Sequence, residues 1–313
     1  MITRQNIRDF LAKHLARLLR RFVHDPRYFD LWESHGYHLI PTHYYSAVPD
    51  TREITPECFS RLTEMVGIEL NADAQLDLLS QVSRNYRPEY ESFARTKEEA
   101  NGNFYFGNGA FESVDAEMLY GIVRSYKPQR IVEIGSGYST MLAVAALHRN
   151  AIEGRKGLMT AIEPYPPQFL KDFIAEGLEH VVQRVQYVPM ALFESLGPGD
   201  IVFIDSSHVC KFGSDVAFEF LEILPRLRPG VLVHVHDIFL PEDYPREWVM
   251  DWHRFWNEQY FLQAFLCSNR DYEIVWAGAW MNYHHASKLR ETFPSYVSNT
   301  TKPASFWIRR VEP

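Results

Sequence analysis

A short apolar run that ends in an acid, turns on glycine and passes straight into helix formers constrains this chain more than any other feature. Residues 131–140 read IVEIGSGYST, and residues 141–147 continue as MLAVAAL. Ile131 and Val132 suit a strand, Gly135-Ser136-Gly137 supplies a tight turn, and the Ala- and Leu-rich run that follows favours helix. A strand that passes directly into a helix is one half of a parallel crossover, so the unit predicts an open parallel sheet with helices on both faces. In such sheets ligands sit at the carboxyl ends of the strands, which is where this turn lies.

The same rhythm recurs downstream. Strand patterns at 130–134, 158–162, 181–188, 200–204 and 231–236 alternate with helical patterns at 139–148, 167–176 and 215–227. A helix over 113–126, ended by Pro128, precedes them, and a short turn at 191–196 joins the third and fourth strands. A Trp-bearing helix over 246–266 and two strand candidates, 272–276 and 305–311, follow. The expected fold is α/β, a Rossmann-like doubly wound and mostly parallel sheet over 113–313. Residues 1–112 lack the rhythm and read as a mainly helical, aromatic cap. Near its start, Ile7, Phe10, Leu11, Leu15, Leu18, Leu19 and Phe22 recur at helical spacing against a basic face. That helix suits packing on its own domain, a second copy of the chain, or a membrane surface.

Composition narrows the partners. With 46% apolar residues the chain can bury a large core, and a formal charge of −8 argues against an extended nucleic-acid surface. No stretch is apolar and long enough to span a bilayer, and arginines interrupt every apolar run near the start, so neither stable membrane insertion nor a secretory signal is expected. Cys58, Cys210 and Cys267 are odd in number and lack any C-x-x-C spacing. That usage suits a reducing, cytoplasmic setting.

The loop chemistry selects a cofactor class. Thr140 stands where a dinucleotide fingerprint needs its third glycine, and Glu133 at the strand end would repel a pyrophosphate. A cofactor with a ribose and an amino group but no phosphate fits better, and S-adenosylmethionine has those groups. The expected contacts are Glu133, Gly135, Ser136, Gly137, Tyr138, Ser139 and Thr140. Glu163, after the second strand, is placed to accept from both ribose hydroxyls. Glu133 could instead accept from backbone groups of the turn, and Glu163 could serve a helix N-terminus near Pro167.

Two further strand ends carry a second constellation. The fourth strand, DIVFID, stops at Asp205-Ser206-Ser207-His208, and the fifth, VLVHVH, stops at His236-Asp237. Carboxylates at adjacent strand ends can share one divalent cation, with Asp205, Asp237 and His236 as its candidate ligands. Oxygen ligands favour magnesium; an imidazole shifts the preference towards manganese or iron. His234 shares the strand face of His236 but reads as a core residue. Asp200 sits at the opposite end of the sheet and reads as a turn residue.

In this order and spacing, VEIGSGYST, IEP, IDSSH and HVHDIF resemble the motifs of class I S-adenosylmethionine-dependent methyltransferases. The resemblance covers roughly residues 100–313. It is strongest to the metal-assisted small-molecule branch, which includes catechol, caffeoyl-CoA and macrolide-sugar O-methyltransferases and cephalosporin hydroxylase-like proteins. It implies an antiparallel strand pair at the end of the sheet, a metal aspartate at Asp205 and further ligands at Asp237 and His236. Catechol-type enzymes place a lysine base three residues after the first metal aspartate; His208 stands there in this chain and is the expected base. The implied activity is O-methylation of a sugar, glycoside or phenol, with a small-molecule acceptor as partner and a homo-oligomer as one assembly. An iron-dependent hydroxylase on the same site and a non-catalytic binding protein are the competing readings.

Overall fold

In the computed structural model, which describes residues 3–297 and 300–312, seven strands form one sheet. They are β1 (Arg130–Ile134), β2 (Leu158–Ile162), β3 (Leu178–Val181), β4 (Ile201–Ile204), β5 (Leu232–Val235), β6 (Tyr272–Ala277) and β7 (Phe306–Arg310). Their order is β3-β2-β1-β4-β5-β7-β6. The first five are parallel; β7 runs antiparallel to β5, and β6 antiparallel to β7. The expected Rossmann-like sheet with its antiparallel end is therefore what the chain forms. Strand order reverses between β1 and β4, which opens a crevice at their carboxyl ends.

Alternation along the strands divides the core. Ile131, Ile201, Phe203 and Leu232 pack on one face with Leu119, Ile122 and Leu142. Val132, Ile134, Val202, Ile204 and Val235 pack on the other with Phe220 and Leu262. Both faces are covered, so these strands read as nearly continuous apolar runs.

The helix expected over 167–176 is only Gln168–Lys171, and three further elements differ from expectation, each for a local reason. The third strand is Leu178–Val181, which shares only Val181 with the expected 181–188; it ends there because its partner β2 ends at Ile162, the residue paired with Val181, and Val185–Tyr187 forms a 3₁₀ turn instead. The helix over 215–227 breaks into an α turn at Asp215–Phe218, a π segment at Glu219–Ile223 and a 3₁₀ turn at Leu224–Arg226. Pro225 lacks the N–H that would continue the α pattern. The Trp-bearing helix over 246–266 is two helices, Arg246–Met250 and Glu258–Leu266, separated by a turn in which His253 adopts φ +55. Trp248, Trp252 and Trp256 therefore do not line one helix face.

The chain divides into two compact units between Pro56 and Glu57, earlier than the expected boundary near residue 112. The reason is the Ala72–Tyr90 helix, which packs on the Asp115–Tyr126 helix. Val82 fits where Gly121 has no side chain, Glu89 pairs with buried Arg124, and the Gln75 side chain accepts from Ala277 N–H at the end of β6. The smaller unit contains the basic Arg4–Leu19 helix, whose Ile7, Phe10, Leu11, Leu15 and Leu18 are exposed. Among the described residues no helix is long and apolar enough to cross a membrane.

Candidate functional site

Register brings the strand tips together. Ile134 pairs with both Ile162 and Ile204, and Ile204 pairs with Val235. The next residue on each strand is Gly135, Glu163, Asp205 or His236. Their backbone N–H groups continue the ladder: Gly135 donates to Ile162, Glu163 to Val181, Asp205 to Ile134 and His236 to Ile204, all at 2.8–3.0 Å. Four strands thus end level; Gly135 and Glu163 line one cavity at this end of the sheet, and Asp205 and His236 line another.

At the β1 tip, Gly135 has φ +79, and a Cβ there would lie 1.8 Å from the Asp205 carbonyl oxygen. No other residue fits. Glu133 is buried and points to the face of the Tyr138–Ile152 helix. Its carboxylate accepts from the Ser139 hydroxyl at 2.7 Å and the Thr140 hydroxyl at 2.5 Å. Thr140 Oγ1 in turn accepts from Gly137 N–H at 3.0 Å. Burial pushes Glu133 up to about 8; its hydroxyl donors oppose this, and the charges of Asp205 and Glu163 add to it. Of the expected cofactor contacts, Glu133, Ser139 and Thr140 therefore spend their side chains on one another. The Tyr138 ring stacks on Phe169 with centroids 4.7 Å apart, and its hydroxyl meets that of Tyr105 at 3.2 Å.

Gly135 and Glu163 line a cavity of about 390 Å³ together with Ser206, Arg184, Lys211 and Asp215. Glu163 accepts from Tyr165 N–H at 2.7 Å, which leaves further lone pairs on its carboxylate. Ser136 does not line this cavity, and its Oγ is buried without a hydrogen-bond partner among the described residues. A cavity edged by a carboxylate with free lone pairs can receive a ligand's hydroxyl groups.

The tips of β4 and β5 carry the second group. One ligand atom from each of Asp205, His208 and Asp237 lies within 4.8 Å of the others. His208 and Asp237 both adopt left-handed backbone, φ +59 and +56, which folds the chain back over the strand ends. His208 Nε2 lies 3.3 Å from Asp205 Oδ1 and 3.5 Å from Asp237 Oδ2, while its Nδ1 lies 2.8 Å from Glu258 Oε2. Glu258 anchors the ring through Nδ1 and so turns Nε2 towards the two aspartates. Burial pushes Asp205 up, but the charge of His236 and the hydrogen bond from His208 outweigh it and hold the carboxyl down at about 2. Burial raises Asp237. Burial also lowers His208, but its hydrogen bonds to Asp205 and Glu258 prevail and raise it well above the ordinary imidazole range. Two carboxylates and an imidazole with its far nitrogen anchored make a donor set that suits a divalent cation.

His236 lies outside that group. Its Nε2 is 3.9 Å from Asp237 Oδ1, its ring packs against Phe111 at 5.0 Å, and its Nδ1 is buried without a partner among the described residues. Strand alternation explains this: His236 follows His234 on the face towards Phe203 and Phe111, and His234 itself stacks on Phe203 at 3.9 Å in the core. Asp200, at the other end of the sheet, accepts from Gln129, Arg130 and Gly197 N–H groups.

Glu258 carries no signal in the sequence. It lies fifty residues from His208 in a stretch whose periodicity suggests one unbroken helix. The turn that breaks it also lets the His208 carbonyl accept from Asn257 and Glu258 N–H. Asp205, Asp237, Trp248, Trp252 and Arg254 line a second cavity, of about 800 Å³.

Comparison with known proteins matches residues 132–238 to the family described as "Methyltransferase domain". An uncharacterised protein of Archaeoglobus fulgidus is 32% identical over 166 residues, which cover 50% of this chain and 72% of that one. An O-methyltransferase from Bacillus cereus, solved in complex with SAH, is 14% identical with a TM-score of 0.36, over 77% of this chain and 91% of that one. MycE methyltransferase from the mycinamycin biosynthetic pathway, solved with Mg, SAH and mycinamycin VI, is 15% identical with a TM-score of 0.31, over 61% of this chain and 47% of that one.

Proposed function

We propose that this chain, whose residues 132–238 match the methyltransferase-domain family, is a class I S-adenosylmethionine-dependent methyltransferase that methylates a hydroxyl of a small sugar, glycoside or phenol with the help of a divalent cation. The observation that carries this reading is the level ending of β1, β2, β4 and β5. It sets the Gly135–Glu163 cavity beside the Asp205–His208–Asp237 group. When bound, the cofactor supplies an electrophilic sulfonium methyl, and a cation supplies a charge that lowers the pKa of a hydroxyl held on it.

The residues divide the remaining tasks. Glu163 holds the ribose side of the cofactor, and the Gly135 turn lets its backbone approach. Asp205 and Asp237 hold the cation, magnesium by their oxygen donors. With a cation's charge on the two aspartates, His208 Nε2 would be free to take the acceptor's proton, while Glu258 holds the opposite nitrogen and fixes the ring. Closeness and alignment supply much of the acceleration, because methyl transfer needs an in-line nucleophile and little further chemistry.

The grouping of His208 with the two aspartates favours a second role for it, as the third ligand, which would shift the preference towards manganese or iron. Calorimetry with S-adenosylhomocysteine, alone and with magnesium or manganese, tests both layers. We expect cofactor binding without metal, and manganese binding that disappears in Asp205→Asn. No cofactor binding would sink the methyltransferase reading for this chain. Equal turnover with excess chelator and with magnesium would remove the cation from it.

A further inference from the structure

The turn between the Arg246–Met250 and Glu258–Leu266 helices gathers three tryptophans around one arginine. The Arg254 guanidinium carbon lies 5.1, 4.8 and 5.0 Å from the ring centroids of Trp248, Trp252 and Trp256. Trp248 stacks on Trp252 and meets Trp256 edge to face, so the rings support one another as well as the cation. The Arg254 N–H donates to the Trp248 carbonyl at 2.8 Å, which pins the base of the side chain.

What the guanidinium lacks is an anion. Most arginines beside a carboxylate in this chain bond to it: Arg124 to Glu89, Arg309 to Glu273, Arg310 to Asp271. Among the described residues, no carboxylate lies within ion-pair distance of Arg254 and no acceptor takes its N–H groups. Aromatic rings engage the faces of a guanidinium and leave its N–H edge free. That edge is the part that matches a two-oxygen anion in a bidentate way. Arg254 is solvent-accessible and lines the same cavity of about 800 Å³ as Asp205 and Asp237. Trp256 touches both ends of this arrangement, because its ring also lies 4.3 Å from the His208 ring. The free fork and the imidazole are one indole apart.

We propose that Arg254 binds a carboxylate on the acceptor, so that the molecule methylated is a hydroxylated ring acid such as a hydroxybenzoate or a uronic acid. This rests on the methyltransferase reading and specifies its substrate class. The ring of the acceptor would bridge the tryptophans, with its acid on the fork and its hydroxyl at Asp205, His208 and Asp237. A pinned cation keeps its alignment at low entropic cost, and a neutral analogue leaves the fork unpaired, which is why the preference should be large.

Two matched pairs of ligands test it: 3,4-dihydroxybenzoate against catechol, and methyl glucuronide against methyl glucoside. Each is titrated calorimetrically into the full chain with magnesium and S-adenosylhomocysteine present. We expect at least one acid to bind about tenfold or more tightly than its neutral partner. In Arg254→Gln that ratio should fall to near one. Arg254→Lys, which keeps the charge but not the fork, should retain only part of it. Benzenesulfonate and phenyl phosphate, offered in place of the carboxylates, should bind more weakly than benzoate. An unchanged ratio in Arg254→Gln would overturn the proposal. So would equal affinity within both pairs, or no binding of either acid, while S-adenosylhomocysteine still binds. Loss of S-adenosylhomocysteine binding by the wild-type chain is a different result and sinks the reading beneath.

Discussion

The tips of β1 and β4 end level on neighbouring strands, and each carries an acid, Glu133 buried and Asp205 partly exposed, yet the two acids meet opposite surroundings. Glu133 accepts from two hydroxyls of its own loop helix, and no charged partner faces it directly. Asp205 faces an imidazole and lies beside a second carboxylate, and among the described residues no hydroxyl or backbone N–H donates to it. The first arrangement is complete within the chain. The second leaves lone pairs of Asp205 and Asp237 directed at a cavity, with cost unless something cationic arrives. Burial of an acid therefore does not by itself mark a functional group. Whether the chain satisfies that acid internally is the better discriminator.

If that distinction is sound, the largest effect belongs to Asp205. Asp205→Asn keeps the shape and removes a charge, so manganese affinity should be lost and turnover should fall at least as far as loss of a base, about 10⁴-fold or more. Manganese titration followed by electron paramagnetic resonance checks the first, and methyl transfer from labelled S-adenosylmethionine the second. Wild-type manganese affinity in this variant would break the comparison.

His208 sharpens it. As a base, His208→Gln should lower turnover by roughly 10²–10⁴-fold while manganese affinity holds. As a ligand, both should fall. The resonance titration separates the two roles before any acceptor is known.

Glu258 comes next. Its carboxylate lies 2.8 Å from His208 Nδ1 and holds the ring in place. Glu258→Gln should cost about 10–100-fold in turnover or metal affinity, and Glu258→Asp should recover part of the loss. A merely structural role would show instead as a lower melting temperature with unchanged kinetics in the folded fraction.

The sheet was readable because its signals are local. Each parallel strand carries its own apolar run and its own polar stop, and pairing then brings Gly135, Glu163 and Asp205 level without further information. The antiparallel β6–β7 pair followed from the resemblance, although the Gly278–Thr292 helix between those strands gave no usable signal. The site was readable only as far as single strand ends reach. Glu258, Trp256 and Arg254 enter through a turn that depends on His253 in left-handed backbone, and tryptophans four residues apart mimic a continuous helix over that turn. The grouping of His208 with the two aspartates has the same origin. Strand periodicity sends His236 with His234, but only the fold of residues 205–208 brings His208 back to the strand tips.

The smallest effect, and the one that probes the satisfied tip, is on stability. Burial holds the Glu133 acid at about 8 in the folded chain, against 4.5 for the free group. Below about pH 4.5 both states are protonated and the contribution of that proton is complete. As pH rises towards 8, the unfolded chain releases a proton that the folded chain keeps, so stability declines through this window and then levels off. Glu133→Gln resembles the neutral acid at every pH: its carbonyl can accept from one hydroxyl and its amide can donate to the other. The variant should therefore melt close to wild type near pH 5 and a few degrees above it near pH 8, by calorimetry at matched ionic strength. Parallel melting curves combined with weaker S-adenosylhomocysteine binding would instead place Glu133 against the cofactor, and the β1 tip would no longer count as internally complete.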